Sequence, residues 1–140
     1  MIAEIVQRLQ AEATALTAVE VAEDIEALAK STAADHGTGF VVPWRERALP
    51  NPFATGGFRQ KVKVQVVVAF VIRQHNDARG AERALMFDGF KTSIEDALAG
   101  WSPFDSSDPF ELVGGEGSAL GNSVTIYAQT WETSRFLTGA

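Results

Sequence analysis

Ile2, Ile5, Val6, Leu9, Ala13 and Leu16 recur at the spacing of one helical face, with Glu4, Gln7, Arg8 and Glu12 on the other, which predicts an amphipathic opening helix. Thr17 to Val21 is short and β-branched and reads as a strand, and Asp24, Ile25, Ala27 and Leu28 then suit a short helix. Phe40, Val41 and Val42 follow a glycine-punctuated turn and read as a short strand stopped by Pro43. The clearest strand is Arg59 to Arg73. Val62, Val64, Val66, Val68, Phe70 and Ile72 line one face, while the other begins with Lys61, Lys63 and Gln65 and turns apolar at Val67, Ala69 and Val71. That pattern predicts a central strand, covered on both faces along its far half.

Asp77 can cap a helix from about Arg79 to Ala99, with Leu85, Phe87, Phe90, Ile94, Ala97 and Leu98 inward and Gly100 at its end. Phe110 to Val113 and Ser123 to Thr133 read as strands of a hairpin, with Gly114 to Gly121 as the connection between them. The fold class expected is α+β, one domain over residues 1–140. A small antiparallel or mixed sheet carries an N-terminal helix and a long central helix on one face, and a C-terminal β-hairpin closes the chain.

Composition narrows the function. The chain has 140 residues, enough for one ordinary core, and 46% hydrophobic with 21% charged residues is the balance of a folded globular protein. Eighteen acidic against 12 basic residues give a net charge of -6, which argues against a free-standing nucleic-acid binder. With no cysteine, disulfides and thiolate metal sites are excluded. Met1 to Leu9 does not read as a signal peptide, so the chain is expected to stay in the cell that makes it. The longest apolar run, Val66 to Ile72, is far short of the roughly 20 residues that span a bilayer, so no membrane partner is expected.

Candidate chemistry is sparse. His36 and His75 belong to no HxxxH or HExxH pattern and read as solvated loop residues. Gly115-Glu116-Gly117-Ser118-Ala119 lacks the last glycine of a nucleophile elbow, and Gly114 to Gly121 contains no GKS or GKT of a phosphate loop. The acidic pairs Glu23-Asp24, Glu95-Asp96 and Asp105 with Asp108 read as solvated helix ends and turn caps. No catalytic, metal or cofactor residue is assigned, and no enzyme is expected.

Two features point instead to assembly. Arg45, Arg47, Arg59, Lys61, Lys63 and Arg73 gather half of the basic residues in mid-chain, a patch that could meet the acidic surface of a neighbouring subunit. Pro43 to Phe58 holds three prolines and a Gly-Gly pair without periodicity and reads as one long loop. Ordering it would cost roughly 1–2 kcal/mol per residue. Burying Trp44, Leu49, Phe53 and Phe58 would return about 1.5–3 kcal/mol each, which does not obviously cover that cost in a monomer. The loop is therefore expected to be mobile alone and ordered against another subunit. Trp44, Arg45, Arg47, Leu49, Phe53, Phe58, Arg59, Lys61 and Lys63 are the candidate intersubunit contacts, together with the Gly114 to Gly121 stretch.

The order of these segments resembles the bacteriophage tail terminator or tail completion family. The resemblance rests on MIAEIVQRLQ, AEDIEAL, FVVP with its Pro-rich sequel, RQKVKVQVVVAFVIR followed by HNDARG, the helix ending DALAGW, and SVTIYAQTWETSRF, and it covers nearly the whole chain. It implies a structural virion protein made in the host cytoplasm. Such a subunit forms a ring, typically a hexamer, that ends tail-tube polymerisation and presents a surface to neck or head-tail connector proteins. The sheath would be a further partner in a contractile tail, and DNA would only pass through the lumen. The alternatives are a head-tail connector or neck adaptor stacked on a portal, or a small ligand-binding α+β domain with a pocket between sheet and helix. The second needs convergent polar groups where the predicted core offers Val, Phe, Leu and Ala.

Overall fold

Alternation along Arg59–Arg73 organises the molecule. In a computed structural model that describes residues 1–23, 36–53, 56–73, 81–121 and 124–139, this strand, β3, is the middle of five. The other elements are α1 (Ile2–Glu12), β1 (Ala18–Val21), β2 (Thr38–Ala48), α2 (Ala81–Leu98), β4 (Glu111–Gly121) and β5 (Val124–Thr138). The sheet order is β1-β2-β3-β5-β4. Only β1 and β2 are parallel, so the sheet is mixed and the class is α+β. The expected short helix over Asp24 to Leu28, His75 and the Asp77 cap lie outside the described residues.

One face of β3 carries Val62, Val64, Val66, Val68, Phe70 and Ile72 into a cluster with Ile5 and Leu9 of α1 and Phe90, Ile94, Ala97 and Leu98 of α2. The two helices are joined directly, because Arg8 Nε donates to the Ala97 carbonyl at 2.8 Å and its guanidinium lies 5.4 Å from the Trp101 ring centroid. That carbonyl is in the last turn of α2, where no intrahelical donor is left, so a cation there is doubly favourable. The opposite face buries Val67, Ala69 and Val71 with Phe40, Val42, Val124 and Ile126. The expectation of a central strand with its far half covered on both faces holds.

Four expectations are corrected. Pro43 does not stop the second strand: β2 continues to Ala48, paired with β3 down to Ala48 opposite Val62. A proline is tolerated because β1 ends at Val21 opposite Val41, leaving this part of β2 at an edge, and because the register shifts between Pro43 and Arg45. The first six of the sixteen residues of the predicted long loop are thus strand, already ordered by the ladder to β3.

Gly114 to Gly121 is likewise strand β4, not a connection. A side chain at Gly115 would fall onto the Tyr127 ring, whereas one at Gly114 would meet nothing within 4 Å. Tyr127 uses this space to pack edge-on against Phe87, with centroids 4.4 Å apart, and against Phe70. Glycine here permits close approach across the sheet, which a turn rule reads as a break.

Leu85 is exposed, not inward. It stands five positions before Phe90, about 140° round a helix of 3.6 residues per turn, and Met86 and Phe87 pack in its place. His36 is not simply solvated. Its Nδ1 accepts the Arg73 N–H at 2.9 Å, its carbonyl accepts the Thr17 hydroxyl, and its ring meets Phe90 edge-on, so it staples the start of β2 to the end of β3.

Candidate assembly surface

The turn between β2 and β3 is built by Asn51. Its Oδ1 accepts the N–H groups of Phe53 and Arg59, and its Nδ2 donates to the Phe53 carbonyl, an arrangement that suits asparagine in turns. Leu49 N–H donates to the Lys61 carbonyl and the Gln60 side chain to the Leu49 carbonyl, extending the ladder past the end of β2. The backbone is held while its aromatic residues face outward: Phe53 and Phe58 are exposed, as is Leu137 at the end of β5 beside them in the sheet. Trp44, at the β2 bulge, is 52% exposed and stands apart from this tip.

The basic patch is largely satisfied within the chain. Asp108 Oδ2 lies 2.7 Å from Lys61 Nζ and 3.2 Å from Lys63 Nζ, and these bonds hold the Asp108 carboxyl below its ordinary range, with Lys61 the larger influence. The Asp108 backbone is fixed as well, its N–H donating to Ser134 Oγ and its carbonyl accepting from Thr133 Oγ1 at 2.6 Å. Those two contacts account for a buried serine and threonine near the end of β5. Arg45 Nε donates to Gln65 Oε1 at 2.7 Å, and the Arg59 guanidinium lies 3.9 Å from the Phe136 ring centroid.

On the helix-bearing face, Arg135 grips Glu46 with two bonds of 2.9 and 2.7 Å, which lower the Glu46 pKa and raise that of Arg135. Arg45, Arg47 and Lys63 do come together around a depression of about 400 Å³ that Glu46, Gln65 and Glu132 also line. No three His, Asp or Glu side chains converge as a metal cage among the described residues, and no described helix is long and apolar enough to cross a membrane.

Among the described residues, both sides of the sheet are open: β1 pairs with β2 only as far as Val21 opposite Val41, and Pro43 to Ala48 are exposed; at the far side, Glu111 to Gly117 of β4 are exposed in an unbroken run. An unpaired edge offers free N–H and C=O groups to another chain.

The phage tail terminator protein family matches residues 2–139. The chain belongs to that family. No curated protein sequence matches it. Its fold is similar to that of a chain in a solved structure titled "Virion of native gene transfer agent (GTA) particle", with a TM-score of 0.62 at 14% identity over 99% of this chain and 95% of that one.

Membership in the tail terminator family makes this a structural protein of the virion tail. On a tail terminator subunit, the features that sequence reasoning missed are the ones that depend on distant pairing. In the sequence Asp108 stands out only as half of an acidic pair with Asp105, and the shared face of Lys61 and Lys63 gives no sign of which carboxylate reaches them. The Glu46–Arg135 pair spans 89 positions and carries no local signal.

Proposed function

We propose that this tail terminator subunit forms a homo-oligomeric ring, six-membered as the family resemblance implies, which caps the completed tail tube, ends its polymerisation and joins it to the neck. The family match over residues 2–139 carries this reading. Trp44, Phe53 and Phe58 support it, since each leaves roughly half of an aromatic side chain in water although the backbone around it is bonded. Contacts to a neighbouring subunit or to the tube would cover them. The role needs no cofactor. In a contractile tail the sheath would be a further neighbour, and DNA would pass through the lumen.

Native mass spectrometry of the purified chain, alone and after mixing with tail tubes, tests the ring. A closed species of defined subunit number is expected, and a chain that stays monomeric in both conditions contradicts it. A ring that binds portal and leaves tube ends bare would reassign it to the neck.

A further inference from the structure

We propose that the ring closes by strand addition, the open β4 edge of one subunit pairing antiparallel with the open β2 stretch of the next. This deepens the ring reading above and rests on it. The topology permits it directly. β2, β3, β5 and β4 are each antiparallel to the next, so β2 and β4 run in opposite directions on the two sides of the sheet. Moving a copy sideways in its own sheet plane therefore sets its β4 antiparallel to β2, with corresponding faces of the two sheets on the same side.

The register adds a constraint. The open part of β2 is level with Val62 to Val66 of β3, whereas Glu111 to Glu116 are level, through β5, with Gln65 to Ala69. The two stretches are offset by three residues, and since paired residues must point to the same face the stagger has to be even; four residues, about 13 Å along the strands, sets Glu116 level with Arg45. Staggered neighbours tilt the strands relative to the ring axis, as in any closed sheet.

Charge selects the partner. Arg45 and Arg47 pair with Gln65 and Lys63, which puts them on the face opposite the helices. Glu111 and Glu116 pair with Glu132 and Ala128, which puts them on that same face. Among the described residues, Arg47, Glu111 and Glu116 have no partner of opposite charge, and Arg45 bonds only to neutral Gln65. β2 against β4 brings arginine to glutamate across the junction. β4 against a second β4 would oppose glutamates, and β2 against β2 arginines, both unfavourable between neighbouring strands. Each edge also exposes apolar side chains, Trp44 on one and Leu112 and Val113 on the other. Joining two different edges is a head-to-tail contact, the kind that closes into rings.

Two charge-reversed chains test this. Arg45→Glu/Arg47→Glu alters only the β2 edge and Glu111→Arg/Glu116→Arg only the β4 edge. Each alone should need at least about tenfold more protein to assemble, since attraction becomes repulsion at every junction. An equimolar mixture should recover assembly, because alternating the two chains restores opposite charges at every junction. As a check independent of variant folding, Arg45→Cys and Glu116→Cys, which the four-residue stagger sets opposite each other, should cross-link between subunits on oxidation in this cysteine-free chain. Wild-type rings with variants that assemble as well as wild type, or with no cross-link between these positions, overturn the edge junction and leave the ring standing. Wild-type protein that is monomeric with and without tubes overturns both.

Discussion

Asp108 holds Lys61 at 2.7 Å from a loop 47 positions further along the chain, and the same oxygen takes Lys63 at 3.2 Å. The lysines that were candidates for an intersubunit patch thus serve first to fasten the segment between α2 and β4 onto the sheet. Because the folded carboxyl lies below the ordinary aspartate value of 3.8, its contribution to stability is present above that pH and is lost as pH falls through the depressed value. Urea unfolding of wild type and Asp108→Asn should differ at pH 7 by no more than about 1 kcal/mol, the scale of a partly exposed ion pair. The difference should shrink toward zero as pH falls through that depressed value. A gap unchanged by acid would remove the ionic account.

Tyr127 occupies the place where a Gly115 side chain would be. Gly115→Ala should cost about 1–3 kcal/mol by forcing the ring off Phe87, whereas Gly114→Ala, with open space around it, should stay within about 0.5 kcal/mol of wild type. Thermal melts of the two variants decide it. Equal effects would mean that the Tyr127 contact is not what requires glycine.

The two halves of Pro43 to Phe58 should differ in hydrogen exchange. Amides of β2 that bond to β3 should be protected in the isolated chain. Those of Phe53 and Phe58, which lie beyond the ladder, should slow only on assembly. Strong protection of Phe53 and Phe58 in a monomer would show that the turn needs no neighbour.

The sequence was most legible where one period ran long. Fifteen residues of β3 carry an alternation that named its own faces and its central place, and α1 and the end of α2 at Gly100 followed from spacing and a left-handed glycine with φ of 78°. It was least legible where a residue's local habit was overruled by position. Pro43 lies in a strand because the edge and bulge free it from donating, and Gly115 lies in a strand because Tyr127 fills its missing side chain. Of the candidate surface, the exposed Trp44, Phe53 and Phe58 were recognisable as apolar residues in an irregular stretch. The free β4 edge with Glu111 and Glu116 was not, since only the sheet order reveals which strand has no neighbour.

If this subunit ends a tail, as proposed, the length of growing tubes shows it most directly. Tail-tube protein polymerised with an increasing amount of this chain should give tubes that stop growing and carry a ring at one end, as seen by electron microscopy. Tubes that lengthen at an unchanged rate and show bare ends in the presence of excess chain would contradict the account.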